Sequence, residues 1–307
     1  MTTAFISHPD TLLHVMDGAH PESPARITAI KNALTASHLL EKLQLHEAPL
    51  ATDEELRRVH SPEYVSYIRR VAPKAGLARL DADTAMGPMT LSAALHAAGA
   101  AVLATDIVMA GKADNAFCCI RPPGHHAGRS NAAGFCIFNN VAVGVAHALE
   151  QHGLERIAIV DFDVHHGDGT EDIFRHNAHV MLCSTFQHPL YPGRGPDSRT
   201  DRMVNVPLPA YTDGKGFRKA VESEFRPTLE RFQPQMVFVS AGFDAHVDDP
   251  LAQLQLDEED YVWVTEFIKE IAGRFAQGRI VSTLEGGYQL TALAASASAH
   301  IRTLAGI

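Results

Sequence analysis

Ile157-Ala-Ile-Val160-Asp161-Phe-Asp163-Val-His165-His166-Gly-Asp168 is the stretch that decides how this chain folds. A β-prone apolar run leads straight into a cluster of acids and imidazoles. Ile157–Val160 is apolar throughout rather than alternating, as in a strand covered on both faces. Runs of the same kind recur at Ala4–Ile6, Ala116–Ile120, Val180–Ser184, Met236–Ser240 and Ile280–Leu284. Helical patterns fall between them, over roughly 24–40, 90–111, 138–152, 215–232, 257–276 and 289–304. Pro24 suits a first helical turn and Asp257 an N-cap. Strand–helix alternation of this kind predicts an α/β protein: one domain over 1–307, built on a parallel sheet with helices on both faces. Residues 72–89 and 186–214 are rich in Pro, Gly and charge and break the pattern. Loops this long in a compact domain are usually functional, so both are expected to rim a site.

Composition narrows the function. The chain has 307 residues, 46% hydrophobic and 20% charged, with a formal charge of −10. An acidic balance argues against non-specific nucleic-acid binding, which needs a basic surface. It suits a cationic substrate or simply solubility. The four cysteines, Cys118, Cys119, Cys136 and Cys183, form no C-x-x-C pair and read as buried thiols of a reducing compartment. MTTAFISHPD carries no basic segment followed by a long apolar stretch, and no apolar run approaches the roughly 18 residues of a membrane span. A cytoplasmic protein without membrane partners is therefore expected.

The residues able to do chemistry gather after strands, where open parallel sheets bind ligands. After Ala116–Ile120 comes Arg121-Pro-Pro-Gly-His125-His126. After Ile157–Val160 come Asp161, Asp163, His165 and Asp168, and after Met236–Ser240 comes Ala241-Gly-Phe-Asp244-Ala-His246. After Ile280–Leu284 comes Glu285-Gly286-Gly287-Tyr288. In an extended chain Asp161, Asp163 and His165 would point the same way. An Asp-x-His pair plus a distant Asp gives three N/O ligands, the count of a catalytic zinc site with an open position. The same donors also accept iron, cobalt, manganese or nickel. Alone, the acid–imidazole run also fits a capped turn with a solvated salt-bridge network. His125 and His126 follow a turn, and Asp161 and Asp168 are acids that could orient them as proton carriers. Tyr288, after a Gly-Gly turn, could donate to a developing oxyanion or merely pack.

Together these residues resemble the zinc-dependent histone deacetylase family, of the arginase/deacetylase fold. The matching segments are His20-Pro-Glu-Ser-Pro-Ala-Arg26, RPPGHHA (121–127), GFCIFNN (134–140), DFDVHHGDGTEDIF (161–174), AGFDAH (241–246) and EGGY (285–288). They span almost the whole chain, and RPPGHHA and EGGY look like the class II branch and its bacterial amidohydrolase-like members. The resemblance implies one zinc ion on Asp163, His165 and Asp244. It implies the pairs His125–Asp161 and His126–Asp168, and Tyr288 on the substrate carbonyl. Gly134, Phe135 and Tyr191 would line a narrow acyl-lysine tunnel. A structural potassium ion would use Asp161, Asp163, His165, Ser184 and Thr185. His246 stands where two-metal ureohydrolase relatives carry a second aspartate, which implies a single metal. Leu251 follows Asp249-Pro250, where the polyamine-selective human member carries a gatekeeper glutamate, so the resemblance leans toward lysine. The expected activity is hydrolysis of acetyl- or longer acyl-lysine by metal-activated water. An acetylpolyamine amidohydrolase is the nearest alternative, and a non-catalytic binder of acyl or amine ligands a more distant one. The sequence is compatible with a homo-oligomer.

Overall fold

The structure is a computed structural model and describes residues 1–18 and 20–307. Eight parallel strands form the main sheet: β1 (Thr3–Ser7), β2 (Gln44–Glu47), β5 (Asn115–Cys118), β6 (Ile157–Asp161), β7 (Val180–Gln187), β8 (Met203–Leu208), β9 (Met236–Ala241) and β10 (Ile280–Leu284). Their order is β2-β1-β5-β10-β9-β6-β7-β8. A two-stranded antiparallel ribbon, β3 (Ala78–Arg79) with β4 (Ala85–Met86), lies in the segment read as a rim.

Strand alternation builds two cores. Ile157 and Ile159 face one side with Ala116, Cys118 and Phe238, under α4 (Thr90–Met109) and α5 (Asn140–His152). Ala158 and Val160 face the other with Phe117, Val237 and Val239, under α1 (Ala25–Ala36), α9 (Glu258–Phe275) and α10 (Leu290–Ala305). Side chains two apart share a face, so a strand apolar throughout must be covered twice. Each fully buried Ile or Phe contributes about 1.5–3 kcal/mol of transfer free energy, and that pins the strand register. All four cysteines are buried and free.

Several expectations need correcting. The edge strands β2 and β8 were not legible as strands. Gln44-Leu-His-Glu47 leaves Leu45 exposed, and Met203–Leu208 holds Pro207, which an edge strand tolerates. Residues 186–214 are therefore loop only in part. The helices α2 (Asp53–Arg57), α3 (Pro62–Val71) and α6 (Asp168–Phe174) were also not anticipated. The helix expected over 215–232 divides into α7 (Gly214–Ala220), a π-helical turn at Val221–Phe225 and α8 (Arg226–Phe232). Pro227 offers no N–H and crowds the carbonyl four residues back, which the wider turn relieves. Helix α4 is in fact long and apolar enough for a membrane span, with mean hydropathy 1.6 over its best window, but 78% of that window is buried inside the protein. Its alanines let it pack closely on the sheet and against α5 beside it.

Candidate active site

The strands β5, β10, β9, β6 and β7 are contiguous, and all end at one edge of the sheet. β6 stops at Asp161, so the chain beyond it is not extended as expected. The acids themselves fold it into turns: Asp161 Oδ1 accepts the Asp163 N–H (3.1 Å), and Asp163 Oδ1 accepts the His165 N–H (2.8 Å). Asp244, arriving after β9, is fixed by the Val164 N–H on Oδ1 (2.9 Å). Asp163 Oδ2 accepts the Gly286 N–H from the turn after β10 (2.8 Å).

These turns bring Asp163, His165 and Asp244 together, with one donor atom of each within 4.8 Å of the others. His165 Nδ1 lies 3.0 Å from Asp163 Oδ1 and 3.2 Å from Asp244 Oδ2. A single Nδ1 proton serves only one of them, and Asp244 Oδ2 is buried without a hydrogen bond. Burial and the Asp163 charge push the Asp244 carboxyl up to about 7. His165 is driven up to about 10, the two carboxylates outweighing its burial. Buried like charges with an orphaned oxygen call for a cation. A Cβ at Gly286 would run into both carboxylates, so only glycine leaves the cradle open. The N,O,O donor set fits a divalent metal ion with free positions.

Two other His/Asp groups do not fit as well. In Asp106–His147–His152, Arg58 donates to His147 Nδ1 (3.1 Å), which puts the neutral ring's proton on Nε2, facing Asp106 at 2.8 Å. That group is satisfied without an ion. In His8–Asp10–His96 the two rings stack nearly parallel, with centroids 3.4 Å apart. Their in-plane lone pairs then cannot meet at one point.

Each member of the histidine pair faces one acid. His125 Nδ1 is 3.0 Å from Asp161 Oδ2, and His126 Nδ1 is 2.8 Å from Asp168 Oδ1. Each carboxylate takes the Nδ1 proton and leaves Nε2 free for the site. Burial would lower both rings. For His125 the charges of Asp163 and Asp161 win and raise it well above the usual value. For His126 burial, reinforced by the charge of His125, wins and lowers it to about 4.

A cavity of about 230 Å³ opens onto these groups, lined by Asp83, His126, Gly134, Phe135, His165, Leu190, Tyr191, Leu251 and Tyr288. Tyr191 stands edge-on to His126 (5.0 Å) and Phe135 edge-on to Tyr288 (5.9 Å). Gly134 and Phe135 both have positive φ, +53° and +68°. A Cβ at Gly134 would collide with the His126 ring. Ser184 pairs in register with Asp161 across β6 and β7, and its hydroxyl lies 3.1 Å from His166 Nδ1; Thr185 follows it, buried. His246 turns away from the metal-type cluster toward the Asp248 N–H and Glu258.

Some residues at the site were not singled out from sequence. Asp83 lines the cavity from the 72–89 rim, and Thr84 beside it accepts the Phe135 N–H (3.0 Å). Asp249 Oδ2 accepts the Tyr288 N–H (2.7 Å). Glu285 is fully buried and accepts the Gly124 and His125 N–H groups (2.7 and 3.2 Å). Glu22, Arg26 and Arg121 are buried under the same turn. Their only sequence signal was membership in the quoted motifs, because an acid buried for structure spells the same as an exposed one.

A sequence model of the histone deacetylase domain matches residues 20–304. The chain belongs to the histone deacetylase family. As such it is a hydrolase of the deacetylase/amidohydrolase class. It is 39% identical over 295 residues to the histone deacetylase-like amidohydrolase of Pseudomonas aeruginosa, covering 94% of this chain and 77% of that one. It is 36% identical to the human polyamine deacetylase HDAC10, covering all of this chain but 48% of that protein. The crystal structure of the HDA15 HD domain superposes with a TM-score of 0.93 at 33% identity, covering 99% of this chain and 88% of that one. The histone deacetylase family thus accounts for the sheet order and for the strand-end cluster in one chain.

Proposed function

We propose that this protein, as one catalytic domain, hydrolyses the amide of acetyl- or longer acyl-lysine side chains with one zinc ion. The observation that carries this reading is the convergence of Asp163, His165 and Asp244 beside the cavity that His126 and Tyr288 line. Zinc on these three residues would polarise the amide carbonyl and acidify a water molecule.

The chain's own groups supply the rest. The walls formed by Phe135, Tyr191, Leu190 and Leu251 exclude water and hold the alkyl stem of the amine carrier. His126, held by Asp168 and lining the cavity, takes the proton of the attacking water and returns it to the leaving amine. His125, deeper and held by Asp161, keeps a proton near the reacting carbonyl. Tyr288 donates a hydrogen bond from its hydroxyl to the oxyanion as it forms. A structural potassium ion beside Asp161, Asp163, His165, Ser184 and Thr185 belongs to the same proposal, supported by the Asp161–Ser184 register.

A second reading, deacylation of acetylpolyamines, draws on the HDAC10 likeness and on Asp83 at the cavity rim, which could meet a second ammonium. Leu251 in the cavity wall offers no such countercharge and favours lysine. The deciding experiment is a turnover panel of acetyl-lysine and longer acyl-lysine peptides against acetylspermidine, with zinc-loaded and chelated protein. We expect peptide turnover that chelation abolishes and zinc restores. Faster turnover of acetylspermidine would replace the lysine reading by the second one, and no turnover of any acylated amine by loaded protein would overturn both.

A further inference from the structure

We propose that Glu22 is a positioning residue for hydrolysis, acting through Arg26 on the turn that carries Tyr288. This rests on the role given to Tyr288 above. Arg26, in the first turn of α1, is fully buried. Its Nε–H donates to the Gly287 carbonyl (2.6 Å) and its Nη2 to the Glu285 carbonyl (2.5 Å). The guanidinium therefore grips the backbone on both sides of Gly286. Its Cζ also lies 5.0 Å from the centre of the Tyr288 ring. A planar fork with fixed donor directions imposes one geometry on the carbonyls it holds.

What fixes the fork itself is Glu22. Its Oε1 accepts from Arg26 Nη1 (3.2 Å) and from Arg121 Nε, and its Oε2 accepts from Arg121 Nη2 (2.6 Å). His14 Nε2 sits 3.3 Å from Oε2. Arg121 is tied down in turn by the Thr11 and His14 carbonyls (2.7 and 3.0 Å). Among the described residues no other carboxylate pairs with Arg26 or Arg121. Two buried guanidiniums thus share one carboxylate, and all three side chains are sealed from solvent. Replacing that carboxylate by a neutral amide leaves two buried cations to repel each other. Arg121 stays anchored by the Thr11 and His14 carbonyls, whereas the other partners of Arg26 are the two carbonyls of the turn itself, so a shift of Arg26 carries the turn with it. Its carbonyl partners, and with them the Tyr288 hydroxyl, then shift relative to the reacting carbon. The turn is also held by the Glu285 N–H on the Ala241 carbonyl, the Phe243 N–H on the Gly286 carbonyl, the Gly286 N–H on Asp163, and the Tyr288 and Gln289 N–H groups on Asp249, but none of these bonds engages the Glu285 or Gly287 carbonyl.

The test is a double-mutant cycle of Glu22→Gln and Tyr288→Phe. It uses zinc-loaded full-length protein and an acetyl-lysine peptide or acetylspermidine, whichever the wild type turns over faster. Glu22→Gln alone should lower kcat roughly 10- to 100-fold, the cost of a misplacement of about 1 Å, with KM within about twofold and zinc content unchanged. In the Tyr288→Phe background the same change should cost less than about twofold, because residues acting as a unit are non-additive. Glu22→Asp, which keeps the charge, should recover part of kcat. An equal loss in both backgrounds would overturn the proposal while leaving Tyr288 catalytic. Full activity of Tyr288→Phe alone would overturn the role given to Tyr288 in hydrolysis and this proposal with it. If Glu22→Gln fails to fold, Arg26→Lys in the same cycle decides in its place, with the same two outcomes.

Discussion

Asp244 is held at Oδ1 by a backbone N–H and left without a hydrogen bond at Oδ2, deep inside the protein. That asymmetry suits a metal ligand, and it separates this cluster from Asp106–His147–His152, whose groups are satisfied without an ion. Asp244→Asn should therefore reduce bound zinc from about one per chain to near zero and abolish turnover. Elemental analysis of the purified variant, read beside its activity, checks both. Tyr288→Phe should keep its zinc and lose about 10²- to 10³-fold in kcat, the usual cost of one oxyanion donor. Gly134 combines φ +53° with no room for a Cβ beside the His126 ring. Gly134→Ala should displace that ring and lower kcat by roughly 10- to 100-fold, measured with zinc content as the control. Ligand types and motif spacing made Asp163, His165, Asp244, His125, His126 and Tyr288 legible from sequence. Glu285, Glu22 and Arg26 were not singled out as functional, since their importance lies in what they hold rather than in what they can react with.

The elements divide in the same way. Strands covered on both faces announced themselves as unbroken apolar runs, as Ile157–Val160 and Met236–Ser240 show. The edge strands did not, because an edge has only one neighbour and half-exposed residues, and its identity depends on the partner it finds. Gln44–Glu47 becomes a strand by pairing with β1, and Met203–Leu208 by pairing with β7. Helix α9 was readable at its start because Asp257 caps it, accepting the Glu259 and Asp260 N–H groups (2.9 and 3.3 Å). Asp260 returns the bond to Asp257 N and completes a capping box. Asp257→Ala should cost about 1 kcal/mol in urea unfolding with kcat unchanged, since α9 contributes nothing to the cavity lining. A change in kcat would mean that α9 couples to the site.

The whole molecule carries buried neutral histidines whose protonation opposes folding. His300 lies between Thr265 Oγ1 (2.6 Å) and Ser282 Oγ (2.9 Å), against the rings of Phe117, Phe162 and Phe243. Burial lowers it to about 3, and burial likewise lowers His60 to about 4. In the unfolded chain both take a proton near pH 6.5. The unfolded state therefore binds more protons at acid pH, and stability falls as pH drops from about 6.5 toward 3–4. Each histidine contributes a slope of up to about 1.4 kcal/mol per pH unit in that window. Above pH 6.5 their contribution is complete and constant. Urea midpoints measured from pH 7 to 4 should fall steadily, and His300→Gln should flatten the decline. An unchanged slope in that variant would show that His300 does not stay neutral in the fold.

The sequence by itself determined the alternation of strands and helices, the two-faced burial of the central sheet and the chemistry of the strand-end residues. These follow from local polarity and from side-chain type, which the chain carries wherever it goes. Only the tertiary structure decided which oxygen is left without a partner, which histidine group needs no ion, and which buried acid steers an arginine onto the Tyr288 turn. Arg26 and Gly287 are distant in the chain and meet only when α1 packs against α10. Long-range closeness of that kind is a property of the folded sheet order, and no local pattern of residues encodes it.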